Sequence, residues 1–278
     1  MNKQEFLSIL EEHKDMGFQD QIDYEKFYLY SIVTHSTAIE GSTMTEVDNQ
    51  LLFDEGISAK GKSIVEQNMN LDLKAAYDRS MELAKAHTPF SVGMLKHLSS
   101  LVMRRTGGEF NSLGGSFDSS RGDLRLLNVT AGPGGKTYMN YQKVPSELEK
   151  FCKEMNERRE LLLKSQDVYE QYLLSFDAHL KLVTIHPWVD GNGRMSRLVM
   201  NHLQYEFGLA PSKVLKEDKS DYIKALIQSE EEESSTPFQE FMLEEHARNL
   251  QQETENYKRS QENEEEEEIR KPRRHFRR

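Results

Sequence analysis

"HPWVDGNGRMSR", His186 to Arg197, gathers an imidazole, a carboxylate, an amide between two glycines, and two arginines into twelve residues. Pro187 ends the apolar-periodic run before it, "VYEQYLLSFDAHLKLVTI", and "RMSRLVMNHLQYEFG" resumes helical spacing as far as Gly208. The stretch is therefore a glycine turn between two helices. Such a turn presents free N–H groups and the positive end of a helix dipole, which together suit an anion. Gly191, Asn192 and Gly193 occupy that position, where the absence of a Cβ lets the backbone approach a phosphate. Arg194 and Arg197, three apart on one helix face, add charge-assisted donors. Asp190 is placed to hold a magnesium ion, which binds through one or two carboxylates together with substrate phosphates. His186, with an ordinary imidazole pKa of about 6.5, suits taking a proton from a hydroxyl at neutral pH. Jointly these residues predict transfer to a hydroxyl from a magnesium-bound nucleotide.

Each feature alone is ordinary: a histidine before proline is usually a capping or core residue, and an Asp-Gly pair is usually a turn. Seven specified positions together recur by chance on the order of 10⁻⁹ per starting point.

Working outward, Val168, Tyr172, Leu173, Phe176, Leu180 and Val183 form a stripe that predicts a buried helix before the motif, and another helix is expected over about 146–159. Between Gly107 and Pro145 the chain turns glycine-rich, and "LRLLNV" and "KTYMNY" around "TAGPGG" predict a small β-hairpin. Upstream, "PFSVGMLKHLSSLVMRRTGG" reads as a helix stopped by Gly107 and Gly108. "SIVEQNMNLDLKAAYDRSMELAKAH" reads as a longer amphipathic helix, Thr45 as a cap, and "YEKFYLYSIVTHSTAIEGS" as a helix over about 23–40 ended by Gly41. Two more helices follow Gly208, and from about residue 251 the chain is nearly pure charge and amide, expected to be disordered or a frayed helical extension. The expected organisation is a helical N-terminal region (1–95), a core (96–250) and a charged tail (251–278).

Composition bounds the class. With 278 residues, 36% of them hydrophobic, the chain can build one large domain or two small ones. A single cysteine, Cys152, excludes a disulfide framework or a multi-cysteine zinc site, and reads as a structural residue on a helix face. No window nears the roughly 18 apolar residues of a membrane span, so a cytoplasmic location without a membrane partner is expected. A formal net charge of -11 argues against a general nucleic-acid binder, whose affinity rests on neutralising phosphates.

The motif resembles the signature of the Fic (filamentation-induced-by-cAMP) family, H-x-F-x-[DE]-G-N-G-R-x-x-R, with Trp188 in place of the usual phenylalanine. The resemblance implies a mostly α fold, a Fic-type helical bundle with a small β-hairpin flap. It implies a protein adenylyltransferase that moves AMP from ATP to Ser, Thr or Tyr hydroxyls of a protein, itself included. By the same resemblance His186 is the base, Asp190 binds Mg2+, Gly191, Asn192, Gly193 and Arg194 form the anion hole, and Arg197 engages the terminal phosphate. Gly193 stands where a related kinase branch carries lysine, which favours AMP transfer over phosphate transfer.

Arg125 and the segment Val129, Thr130, Ala131 and Gly132 resemble the flap that lines the nucleotide and pairs with the target's backbone. Asp221, Tyr222 and Ser229 resemble the family's segment beside the nucleoside. "STAIEG", Ser36 to Gly41, fits the inhibitory signature [ST]-x-x-x-E-[GN]. Ser36 and Glu40 lie one turn apart on one helix face, so Glu40 is expected to form a bidentate pair with Arg197 and hold the enzyme off, as in class II members. AMP removal at the same site, or nucleotide binding without turnover, are the alternatives. The expected partners are ATP and a target protein, and self-association into a homo-oligomer is left open.

Overall fold

The structure is a computed structural model and describes residues 1–17, 24–131, 135 and 137–270. Its helices are α1 (Lys3–Asp15), α2 (Tyr24–Ile39), α3 (Glu46–Asp54), α4 (Ile64–Lys85), α5 (Val92–Val102), α6 (Val144–Ser165), α7 (Val168–Ile185), α8 (Asn192–Glu206), α9 (Lys219–Glu231) and α10 (Thr236–Arg270). Strands β1 (Glu109–Ser112) and β2 (Gly115–Asp118) form a two-stranded antiparallel sheet. The described residues are thus mostly helical with one small sheet.

α7 and α8 pack against each other at the centre. Both are buried around most of their circumference; α7 is largely apolar, while α8 also buries polar and charged side chains, Arg194, Arg197, Asn201, His202 and Gln204 among them. One face of the pair, with Leu174, Leu182, Met195, Leu198 and Leu203, joins α2, α4, α5 and α6 in the larger core. The other, with Tyr172, Phe176 and Met200, joins α1, α9 and α10 in a second core. α2 touches both, through Leu29 and Val33 on one side and Ile39 on the other. Local signals start the neighbouring helices: Thr45 with Asp48, and Ser63 with Glu66, form reciprocal capping boxes at α3 and α4.

One expectation differs from what is observed. Among the described residues, the sheet forms at 109–118, where Phe110 stacks on Phe117, and not along 124–129 and 136–141. In the expected hairpin, among the described residues, a Thr130–Thr137 bridge and bonds from Tyr138 N to Val129 O (3.0 Å) and from Tyr141 N to Asn128 Oδ1 (3.0 Å) join the two sides without forming strands. The reason is Arg125: it is buried, and its guanidinium donates to the carbonyls of His186, Leu127 and Met139, filling acceptor sites a strand ladder would use. Gly132 lies outside the described residues.

Of the two alternatives for the tail, the helical extension is observed: α10 runs on to Arg270, and Glu253 and Thr254 belong to the packed bundle. Glu253 accepts from Lys213 Nζ (3.0 Å) and from the Tyr28 hydroxyl and lies 3.2 Å from His13 Nε2. Among the described residues no helix is long and apolar enough to cross a membrane.

Candidate active site

α7 ends at His186, whose backbone is left-handed (φ 51°) and whose N–H closes the helix on Leu182 O at 3.0 Å. A non-glycine residue in this region is uncommon and directs the side chain out of the helical path. His186 Nδ1 lies 3.2 Å from Val183 O. A carbonyl only accepts, so Nδ1 carries the proton and Nε2 the lone pair. The Tyr138 ring stacks on this imidazole, centroids 3.6 Å apart and planes within 14°. Burial is the main cause that lowers the His186 pKa to about 4, partly opposed by the Val183 bond, so the ring is neutral at physiological pH.

The loop beyond it is braced at every step. Trp188 is fully buried and its indole N–H donates to Gly122 O (3.1 Å), so the larger ring is accommodated and adds a bond phenylalanine lacks. The Asn192 amide donates to Trp188 O (2.8 Å) and accepts from Trp188 N (3.1 Å), closing the turn on itself. Arg125 N donates to Pro187 O and Arg125 Nε to His186 O, tying the flap segment to the loop.

Gly191 opens α8 at φ 80°, and a Cβ there would lie 2.8 Å from Met103 Sδ; both the backbone and the space require glycine. The Gly191 N–H is taken by Asp190 Oδ1 (2.5 Å). The next N–H groups of α8 have no partner within the helix, as at any helix start. At Gly193 a Cβ would lie 2.6 Å from Glu40 Oε1. The glycine thus makes room for a carboxylate at the positive end of α8.

Arg197 is buried in a dense set of acceptors. Its Nε donates to Ser36 Oγ (2.8 Å), Nη2 to Ser36 O (3.0 Å) and Glu40 Oε1 (2.6 Å), and Nη1 to Tyr222 Oη at 3.4 Å. The pair is joined through one carboxylate oxygen and is not the bidentate pair expected, because Ser36 and Tyr222 hold the other guanidinium edges. Burial raises the Glu40 pKa, but the Arg197 charge and hydrogen bond outweigh it, and the net shift is downward. Glu40 is therefore ionised at neutral pH.

The structure brings His186, Asp190, Gly191, Asn192, Gly193, Arg194 and Arg197 together with Ser36 and Glu40. Tyr222 belongs to this cluster as a buried ring whose hydroxyl lies between Arg197 and His179 Nε2 (3.0 Å). Asp221 does not join it: it is exposed and paired with Lys224. Ser229 lines a cleft of about 800 Å³ together with Met139, Thr184 and Ile185, and its hydroxyl accepts from Phe238 N. On the flap, Val129 is half-buried and Thr130 and Ala131 are exposed.

Asp190 is 65% exposed, and among the described residues no group of three or more metal-binding side chains exists. A magnesium ion carried on phosphates needs only one or two carboxylates, a demand that Asp190 fits. Sequence reasoning did not single out Tyr138 or His179; an aromatic beside a glycine-rich turn and a histidine inside an apolar stripe carry no local signal of the site.

Residues 89–204 match the Fic/DOC family. The chain is 28% identical over 235 residues to the protein adenylyltransferase Fic of Nematostella vectensis, covering 77% of this chain and 51% of that protein. It is 31% identical over 198 residues to the enzyme of the same name from Drosophila persimilis, covering 68% of this chain and 34% of that one. The chain thus spans between a third and a half of the length of these curated relatives. In fold it is similar to a Fic domain-containing protein of Bacteroides thetaiotaomicron (TM-score 0.71, 18% identity, covering 89% of this chain and 94% of that chain). It is also similar to Fic-1 of C. elegans (TM-score 0.67, 20% identity, covering 90% and 70%). With signature, matched domain and bundle in agreement, the chain belongs to the Fic family.

Proposed function

We propose that the protein transfers AMP from ATP to hydroxyl groups of a target protein, and that Glu40 holds this activity in check. One observation carries the reading: a carboxylate of the chain's own sits at the glycine-opened start of α8, bonded to a buried arginine at 2.6 Å, where an anionic phosphate would otherwise be held. With Glu40 withdrawn, Arg197 and the first N–H groups of α8 receive the phosphates. The cleft lined by Met139, Ile185 and Ser229 is roomy enough for the nucleoside. His186 Nε2 takes the proton of the target hydroxyl as its oxygen bonds to the α-phosphorus; the bond from that phosphorus to the bridging oxygen breaks, and pyrophosphate leaves. Asp190 would hold magnesium, which supplies charge neutralisation of the phosphates when bound. The flap segment, whose residues Thr130 and Ala131 are exposed, is where the target's main chain would pair.

Removal of AMP by the same site is the second reading. It is favoured by Glu40 being ionised while about a third of its side chain (34%) reaches solvent, where it can orient a water.

The test compares wild type, Glu40→Gly, and Glu40→Gly with His186→Ala, each given magnesium and ATP labelled at the α- or the γ-phosphate, with label read on protein. Strong α-label only in Glu40→Gly, lost with His186, is expected. Label from the γ position would make the protein a kinase, and no label from either would leave AMP removal or binding without turnover.

A further inference from the structure

Glu40 sits at the last turn of a helix, a place where chains ordinarily fray. Its own backbone contributes little: Glu40 N bonds Thr37 O at 3.0 Å, and Gly41 at φ 103° turns the chain away. Yet the carboxylate must reach Arg197 within a few tenths of an ångström to displace a phosphate. Something beneath the turn has to hold it.

That something is a buried amide on α4. Asn70 is fully buried, and its Oδ1 accepts from Thr37 Oγ1 (2.8 Å) and from Asn49 Nδ2 (2.9 Å). Its Nδ2 donates to Ser42 Oγ (3.2 Å) and to Glu66 O (2.8 Å). The Glu66 carbonyl only accepts, which fixes the nitrogen on that side and the oxygen on the other. Thr37 is three residues before Glu40 and Ser42 two residues after it, so one rigid side chain grips the turn on both sides of the carboxylate. Asn49, also fully buried, extends the grip one turn back through Thr34 Oγ1 (2.7 Å). Neither amide touches Arg197, His186 or the start of α8 through any hydrogen bond of this network.

We propose that Asn70 is the positioning residue for Glu40, and that it sets how completely the site is repressed. The proposal rests on the reading that Glu40 occupies the place of a phosphate. Physically, the turn has an arrangement with the carboxylate on Arg197 and others with it withdrawn, and the Asn70 bonds to Thr37 and Ser42 are specific to the first. Removing them shifts the population toward the withdrawn arrangements, with the weight of one or two hydrogen bonds, about tenfold.

The test uses four full-length proteins: wild type, Asn70→Ala, Glu40→Gly and the double variant. AMP transfer is measured with α-labelled ATP, and ATP affinity separately by calorimetry. Asn70→Ala is expected to raise transfer and tighten ATP binding about tenfold where Glu40 is present, and to change neither where Glu40 is already glycine. A purely structural role would lower both backgrounds alike, and that result, or an unchanged Asn70→Ala protein, overturns the proposal. Should Asn70→Ala fail to fold, Thr37→Val removes the same bond from the other partner with little change of shape and carries the same expectation. If Glu40→Gly transfers no AMP at all, the transferase reading fails, while the affinity measurement still decides the role of Asn70.

Discussion

Arg194 and Arg197 stand one turn apart on α8, both buried, and they are served in opposite ways. Arg197 has Ser36 Oγ, Ser36 O, Glu40 and Tyr222 around it. Arg194 has Val102 O at 3.4 Å, the Met103 sulfur at 3.3 Å and Asp190 at 3.6 Å, and among the described residues its Nε has no partner. A buried guanidinium short of acceptors is costly unless a ligand completes it. The difference divides the site into a half satisfied by the protein and a half left short of acceptors, which under the proposed function an anion would complete. Under the proposed function it also says where repression would act: the protein fills the Arg197 side with its own carboxylate and leaves the Arg194 side underserved.

The largest effect should come from breaking the satisfied half. Arg197→Met leaves Ser36, Tyr222 and an ionised Glu40 without their shared donor. Breaking a buried pair from one side costs about 3 kcal/mol at the low end, the end that applies here because Glu40 can still reach water. Denaturant unfolding should show a loss of about that size; a loss below about 1 kcal/mol would mean the Arg197 network contributes little to holding α2 on α8.

Acid probes the same half through Tyr222 and its neighbour His179. Burial, with the Arg197 charge adding to it, holds the His179 pKa well below its ordinary value, and burial holds His202 and His246 near about 3. The unfolded chain binds these protons near pH 6.5 while the folded one refuses them, so stability is complete above about pH 6.5 and falls as pH drops toward the folded values. Each such histidine contributes up to about 1.4 kcal/mol per pH unit in that window. The Glu40 pair works lower: its contribution persists above the ordinary carboxylate pKa and is lost as pH falls through the depressed folded value. His179→Gln should therefore flatten the fall in stability between about pH 6.5 and pH 5, measured as the dependence of the unfolding midpoint on pH, while leaving the loss below about pH 4 in place.

These two halves were unequally legible in the sequence. The turn between α7 and α8 could be read directly, because Pro187, Gly191 and Gly193 have local conformational meaning and the apolar spacing on either side has a helical period. The meeting of Glu40 with Arg197, separated by 157 residues, has no local cause and entered only through a resemblance. The sheet was expected one segment too late because β-prone residues around 124–141 gave no warning that the Arg125 guanidinium would take up the carbonyls. From about 251, where apolar spacing stops, disorder or a frayed helical extension was expected; α10 runs on as helix, and its next turn is held by a polar anchor, Glu253, which periodicity does not register. Tyr138 on His186 and the poor service of Arg194 are tertiary facts, without any sequence signal.

Trp188 braces the loop from which both halves hang, so changing it should affect them equally. Trp188→Phe restores the family's usual residue but loses the bond to Gly122 and leaves a space in the core. A loss of about 1 to 2 kcal/mol is expected, seen as a lower thermal midpoint, with ATP affinity of the Glu40→Gly protein nearly unchanged. A large drop in affinity would show that Trp188 positions the anion site itself.

The smallest effect on stability should come from the underserved half. Arg194→Met replaces a guanidinium with weak partners by a side chain that packs against Val102 and Met103 without a charge to desolvate. Replacing poorly paired buried charges with apolar groups of similar volume is neutral or stabilising, so unfolding should move by less than about 1 kcal/mol, in either direction. The same change should weaken ATP binding to the Glu40→Gly protein by roughly tenfold or more, the weight of one charge-assisted bond to phosphate. That combination, little stability lost and much affinity lost, is the signature of a group held ready for a ligand. If Arg194→Met instead destabilises the fold by as much as Arg197→Met, the two arginines are alike and the division of the site between them is wrong.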